Sequence, residues 1–151
     1  MCSAELTYVS SNSRHESIFC IVNKDVNALS HATSQSILVV EDDRGIRSLL
    51  ELILRRDDRS ILLARNGVEA LRLAKRHDID LALVDIHMPG LDGASFCRAY
   101  RERGGEAPVV MLSAAFDGPD TARACSADGF IAKPFQISTL LETVAHHLGG
   151  A

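Results

Sequence analysis

The sequence of 151 residues has no long apolar run. The longest, Ile18–Val22, is far shorter than the roughly 18 to 20 residues of a membrane-spanning helix, so membrane insertion is not expected. A basic leader before an apolar segment of about 7 to 15 residues is also missing, because no Lys or Arg precedes Arg14. These absences exclude a recognisable secretion signal and predict a cytoplasmic protein.

The chain also lacks paired cysteines and an excess of positive charge. Its four cysteines occur singly, with no Cys-x-x-Cys, which argues against a zinc site and predicts free thiols in a reducing compartment. The 16 Lys and Arg are outnumbered by 20 Asp and Glu, giving a net charge of −4. Such a balance is unsuited to phosphate backbones, so direct binding of nucleic acid is not expected.

Residues 1–35 differ in pattern from the rest of the chain. They are rich in Ser and Asn and show no helical or strand period apart from the short apolar cluster at Ile18–Val22. Since they offer too little apolar surface to offset their ordering entropy, we expect a disordered N-terminal extension. Residues 36–149 then form one domain, and no output domain is expected.

Within residues 36–149, short apolar runs alternate with helical periods. Runs rich in Val, Ile and Leu predict five strands buried on both faces, at 37–40, 61–64, 81–84, 109–112 and 130–132. Apolar residues at helical spacing separate and follow them, over 46–54, 70–77, 96–103, 119–126 and 137–148. This alternation predicts an α/β domain with a doubly wound parallel sheet.

Polar side chains follow four of these strands. They are Glu41, Asp42 and Asp43 after the first strand, Asp85 after the third, Ser113 after the fourth and Lys133 after the fifth. Because ligands bind beyond the carboxyl ends of the strands in such a sheet, we expect these side chains to converge on one edge. Asp43 alone is well explained as a cap of the following helix, but no helical pattern follows Asp85 directly.

The predicted carboxylate cluster indicates a divalent cation. Two carboxylates about 4 Å apart repel by about 4 kcal/mol at an effective dielectric near 20, so an ionised cluster needs a compensating charge. Hard oxygen ligands that leave room for water and a phosphate suit Mg²⁺. A carboxylate there can accept a phosphoryl group as an acyl phosphate, with Ser113 and Lys133 binding the phosphoryl oxygens.

Four segments carry this pattern and resemble the receiver domain of two-component response regulators. They are ILVVEDD at 37–43, LVDIHMPGLDG at 83–93, PVVMLSA at 108–114 and GFIAKPF at 129–135. The resemblance spans residues 37–148 and implies a flavodoxin-like sheet with strand order 2-1-3-4-5. With no output domain expected, it indicates a stand-alone receiver that signals through protein contacts.

The resemblance also implies a role for each residue of the acidic edge. Asp85 is expected to be the phosphoacceptor. Glu41, Asp42, Asp85 and the backbone carbonyl of His87 are expected to hold Mg²⁺. Lys133 is expected to sense the phosphate. The implied donor is a phosphohistidine on a sensor histidine kinase or a histidine phosphotransfer protein.

Ser113 and Phe130 are implied as the switch pair that reports phosphorylation. They are expected to repack the face built by the helix at 119–126, the strand at 130–132 and the helix at 137–148, which then binds an unidentified downstream protein. The family pattern further implies a cis Lys133–Pro134 bond. Ser113 and Lys133 are slightly closer in sequence than in the family, which predicts a short helix between them.

Two other classes of protein fit these residues less well than a phosphoryl-accepting receiver does. An aspartate-nucleophile phosphatase needs a second acid two residues after the nucleophile, where this chain has His87, so no enzyme is expected. A flavin-binding protein needs a glycine- or hydroxyl-rich phosphate loop where this chain has Glu-Asp-Asp-Arg. The remaining alternative is a receiver-like module that binds proteins without being phosphorylated.

Overall fold

The structure is a computed structural model that describes residues 34–56, 58–114 and 118–149. Within these ranges, five strands alternate with five helices. In chain order they are β1 Gln35–Val40, α1 Arg44–Leu54, β2 Arg59–Ala64, α2 Gly67–Arg76, β3 Leu81–Asp85, α3 Gly93–Glu102, β4 Val109–Ala114, α4 Gly118–Ala124, β5 Gly129–Lys133 and α5 Ile137–His147. The expected N-terminal extension lies outside the described residues, except for Ser34 and Gln35, and Gln35 already belongs to β1.

The five strands form one parallel sheet in the order β2-β1-β3-β4-β5, which confirms the expected topology. Val40 at the end of β1 is in register with Ala64 on β2 and Val84 on β3. Asp85 is in register with Leu112, the residue before Ser113 on β4. The carboxyl ends of the strands therefore meet at one edge, where the polar residues of the sequence motifs lie.

Successive side chains along each strand point to opposite faces of the sheet, and helices cover both faces. Leu38 and Val40 of β1 belong to one hydrophobic cluster, together with buried side chains from α2, α3 and α4. Ile37 and Val39 belong to the other, together with buried side chains from α1 and α5. A strand covered on both faces must be apolar throughout, which explains why the runs in the sequence are continuous rather than alternating.

Three helices begin at the site edge with a side-chain cap. Asp43, Asn66 and Asp92 accept hydrogen bonds from backbone N–H groups of α1, α2 and α3 respectively, so the predicted capping role of Asp43 is confirmed. Helix α4 has only 7 residues, as the spacing between Ser113 and Lys133 predicted. No helix in the described part of the chain is both long and apolar enough to cross a membrane.

The two cysteines within the described residues, Cys97 and Cys125, are free and buried. The Cys97 Sγ donates to the backbone carbonyl of Cys125 at 3.1 Å, which joins α3 to the residue that follows α4. Burial, followed by the neighbouring Cys125 thiol, raises the pKa of Cys97 to about 12, so it stays a neutral core residue. Cys2 and Cys20 lie outside the described residues.

Candidate functional site

The ends of β1 and β3 bring three carboxylates together. One oxygen each from Glu41, Asp42 and Asp85 lies within 4.8 Å of the other two. Glu41 and Asp85 are buried, at 1% and 5% exposure, whereas Asp42 is exposed. The strand-end pattern thus predicted this juxtaposition correctly, because β1 and β3 are neighbours in the sheet.

Lys133 reaches this acidic cluster from the other side of β4. Its Nζ is 2.7 Å from Glu41 Oε2 and 3.2 Å from Asp85 Oδ1, so one ammonium group pairs with both buried carboxylates. It is the last residue of β5, the edge strand that pairs with β4. Strands β3 and β4 lie between β5 and β1. This single positive charge offsets part of the repulsion between the acids, while leaving Asp42 open to solvent.

Burial and neighbouring charges shift the pKa values of Glu41 and Lys133. Burial raises the pKa of Glu41, and the charge of Asp85 raises it further, while the hydrogen bond from Lys133 opposes both. Burial by itself lowers the pKa of Lys133, but the hydrogen bond from its ammonium to Glu41 and the charge of Asp85 outweigh it, so the pKa rises. Lys133 therefore stays charged at neutral pH.

Ser113 lies near the end of β4, fully buried, and its Oγ has no hydrogen-bond partner among the described residues. Leaving a buried hydroxyl unpaired costs about 1 to 3 kcal/mol, so a ligand that brings a hydrogen-bond acceptor to this hydroxyl would be favoured. The sequence predicts that Asp85, Ser113 and Lys133 follow their strands, but all three belong to the ends of the strands themselves. For Ser113 and Lys133 the reason is that backbone pairing of β4 with β5 continues to Ala114 and Lys133.

The remaining predicted features are Phe130, His87 and the Lys133–Pro134 peptide bond. Phe130, on β5 and in register with Met111, is partly buried against the cluster that includes α3 and α4. His87 follows β3 with an exposed side chain, and the role of its backbone carbonyl as a metal ligand stays a prediction. The Lys133–Pro134 peptide bond is cis, as expected.

Sequence reasoning missed two residues that shape the edge. Arg47, one turn into α1, donates to the backbone carbonyls of Glu41 and Asp42. Gly93, the first residue of α3, brings the start of that helix against the backbone of Asp85. The only available signal for Arg47 was its place one turn after the capping Asp43, and a glycine directly after a capping residue was the signal for Gly93.

A comparison with protein-family models decides the identity of the domain: the model described as "Response regulator receiver domain" matches residues 37–145. The chain belongs to this family. Its receiver domain is 36% identical over 115 residues to "Transcriptional regulatory protein CseB" of Streptomyces avermitilis, an alignment that covers 75% of this chain and 48% of that protein. "Response regulator MprA" of Mycobacterium sp. (strain KMS) is 37% identical over 107 residues, covering 70% and 46%.

Solved receiver domains have the same fold. The chemotaxis response regulator CheY4 of Vibrio cholerae superposes with a TM-score of 0.71 at 29% identity, covering 77% of this chain and 100% of that one. A signal receiver domain from a histidine kinase of Syntrophus aciditrophicus gives 0.68 at 33% identity, covering 78% and 92%. The chain spans about half the length of the curated relatives it matches, so their outputs do not carry over directly.

Receiver domains bind Mg²⁺ at an acidic pocket, and the residues present here fit that ion. Glu41, Asp42 and Asp85 offer three hard carboxylate oxygens, the ligand type that Mg²⁺ prefers. The exposed position of Asp42 gives the ion access and leaves room for the water ligands that Mg²⁺ retains. The unpaired Ser113 hydroxyl nearby on β4 suits an oxygen-rich ligand beside the cation.

Removing the Lys133 charge should lower the free energy of unfolding in metal-free buffer and increase the stabilisation that added Mg²⁺ provides. Lys133→Met leaves Glu41 and Asp85 without their cation; we expect the free energy of unfolding to fall by about 2 kcal/mol, between the values for exposed and buried pairs. Since a competing positive charge is gone, Mg²⁺ should bind more tightly and restore most of this loss.

Urea unfolding with and without Mg²⁺ measures both effects. Lys75→Met, at an exposed position in the last turn of α2, is the control and should change stability by less than about 0.5 kcal/mol. Equal unfolding midpoints for Lys133→Met and Lys75→Met would show that the ion pairs contribute nothing.

Proposed function

We propose that this receiver domain accepts a phosphoryl group on Asp85 from a phosphohistidine of a sensor histidine kinase or a histidine phosphotransfer protein. The observation that carries the proposal is the pairing of the Lys133 ammonium with both Asp85 and Glu41, beside the exposed Asp42. Asp85 lies between a lysine ammonium and two further carboxylates that could hold a metal ion. Positive charge from both sources would make this carboxylate a suitable acceptor for an anionic phosphoryl group.

The chemistry follows from these side chains. A carboxylate oxygen of Asp85 attacks phosphorus as the P–N bond to the donor histidine breaks, and that nitrogen keeps the bonding pair. Bound Mg²⁺ supplies charge neutralisation on the phosphoryl oxygens. Lys133 neutralises a further oxygen through Nζ, and the unpaired Ser113 hydroxyl donates a hydrogen bond to another. Because Asp85 itself is modified, we expect stoichiometric signalling rather than turnover of a substrate.

Ser113 and Phe130 are proposed to report the modification. Ser113 on β4 has no partner within the described protein, so an acyl phosphate on neighbouring β3 gives its hydroxyl an acceptor. Its movement frees space for the partly buried Phe130 on β5 to turn inward. This repacks the face of α4, β5 and α5 and shifts the population toward a state that binds a downstream protein.

A protein partner is the proposed output. The curated relatives extend well beyond the matched receiver region, and CseB is named for transcriptional regulation. This chain carries a net charge of −4, which does not favour direct contact with nucleic acid. We therefore propose a cytoplasmic signalling protein whose α4, β5 and α5 face binds another protein.

A small phosphodonor tests the proposal without knowledge of the kinase. Incubation with acetyl phosphate and Mg²⁺ should add one phosphoryl group to the intact protein, as measured by mass spectrometry. The same incubation in chelator should leave the mass unchanged, because the carboxylate cluster then repels the donor. A chain that stays unmodified under both conditions would instead be a receiver-like binding module that works without phosphorylation.

A further inference from the structure

The segment between β1 and α1, Glu41–Asp43, contributes Glu41 and Asp42 to the three-carboxylate cluster, and its three side chains are held to different degrees. The Glu41 carboxylate is fixed by Lys133 and by the backbone N–H of Asp43. The Asp43 carboxylate is fixed as the cap of α1. Asp42 is different, since its exposed carboxylate has no hydrogen bond or ion pair from the described protein. Its position depends on the backbone that carries it.

The side chain of Arg47 binds the carbonyl groups of that backbone, in addition to the hydrogen bond between the Asp43 N–H and the Glu41 carboxylate. Arg47 Nη1 donates to the carbonyl of Glu41 at 2.7 Å and to the carbonyl of Asp42 at 3.1 Å. The Arg47 backbone N–H also donates to the carbonyl of Asp43 at 2.9 Å. One residue of α1 therefore binds all three carbonyls of the segment.

We propose that Arg47 is a positioning residue that holds Asp42 in the geometry needed for Mg²⁺. The inference rests on the proposed function for the identity of the ion. A guanidinium with two carbonyl acceptors fixes the peptide planes on either side of Asp42, so the carboxylate is presented without a side-chain contact of its own. Residues behind the direct ligands commonly change metal affinity by about 10- to 100-fold when removed.

Two physical effects of removing Arg47 have opposite signs, which makes the role testable. By charge alone, loss of a cation near an acidic cluster strengthens Mg²⁺ binding. By loss of positioning, Mg²⁺ binding weakens. Arg44 at the first position of α1 is exposed and has no hydrogen bond or ion pair within the described residues, so Arg44→Ala reports the charge effect alone.

The measurement is an Mg²⁺ titration followed by backbone amide shifts, a readout that does not depend on phosphorylation. We expect Arg47→Ala to weaken binding about tenfold, Arg47→Lys to weaken it less, and Arg44→Ala to leave it equal or slightly tighter. Should Arg47→Ala not fold, as judged by circular dichroism, Arg47→Lys keeps the charge and still tests the two-carbonyl contact.

Binding by either Arg47 variant that is as tight as that of Arg44→Ala would overturn the positioning role. That result is distinct from failure of the proposed function, which shows in the unsubstituted protein as an absence of Mg²⁺ binding or of labelling by acetyl phosphate. Unsubstituted protein that binds Mg²⁺ and is labelled, with Arg47→Ala weakened relative to Arg44→Ala, supports both.

Discussion

Asp85→Asn is expected to abolish labelling by acetyl phosphate and Mg²⁺, while Asp43→Asn is labelled like the unsubstituted protein. The amide of Asn is close in size to a carboxylate but is not a competent nucleophile, so no acyl phosphate can form at position 85. The loss should be complete within detection by intact mass. It is the largest effect on activity that the site predicts.

The fold should survive this substitution. Lys133 keeps its 2.7 Å contact with Glu41, and neutralising position 85 removes one of two like charges from the buried cluster. Unfolding by urea should therefore show Asp85→Asn to be no less stable than the unsubstituted protein. A compact but unlabelled variant separates loss of the acceptor from loss of structure.

Asp43→Asn is the matched control because it also neutralises a carboxylate, one in the Glu41–Asp43 segment that is not part of the three-carboxylate cluster. The side chain at 43 accepts from the backbone N–H of Ile46, and Asn caps helices about as well as Asp, so α1 should remain intact. Labelling that persists in Asp85→Asn would assign the acceptor to another residue. Labelling lost from both variants would mean that the total negative charge at this edge of the sheet, rather than a single nucleophile, controls the reaction.

The elements of the fold were predictable because a parallel sheet covered on both faces leaves a simple pattern. Each buried strand appears as a continuous apolar run, and each helix as a stripe that faces one of the two clusters. Strand ends of a parallel sheet share an edge, so Glu41, Asp42 and Asp85 could be placed together from the sequence. The strand order itself came from the family resemblance.

The contacts between the site residues were not predictable to the same degree. That Lys133 pairs with Glu41 as well as Asp85 depends on how far its side chain reaches across β4, which spacing along the chain does not report. The two carbonyl contacts of Arg47 depend on the turn between β1 and α1. These are tertiary details, set by the packing of α1 on the sheet and by the pairing of β5 with β4.

Gly93→Ala is expected to be the most damaging single-methyl change at the site. A Cβ on residue 93 would lie 2.3 Å from the carbonyl oxygen of Asp85 and 2.9 Å from Cα of Ile86. Both are backbone atoms, so no side-chain rotation relieves the clash, and α3 must move away from the end of β3. We expect the free energy of unfolding to fall by about 3 kcal/mol, at the upper end of the range for overpacking.

The same displacement moves the phosphoacceptor, because the clash is with its own backbone. A misplacement of about 1 Å at a reacting group can cost on the order of 100-fold in rate, so labelling of the folded variant by acetyl phosphate should slow by up to that factor. Gly45→Ala is the control: its Cβ would meet one side-chain atom, Oδ1 of the Asp43 cap, at 3.1 Å, a contact that a shift of a few tenths of an ångström relieves. Alanine is favoured over glycine within a helix by up to about 1 kcal/mol, so that variant should be near neutral.

Urea midpoints and labelling rates measured on Gly93→Ala and Gly45→Ala give the comparison. Equal values would mean that β3 and α3 can separate without cost, and that the close approach at Gly93 does not hold Asp85 in place.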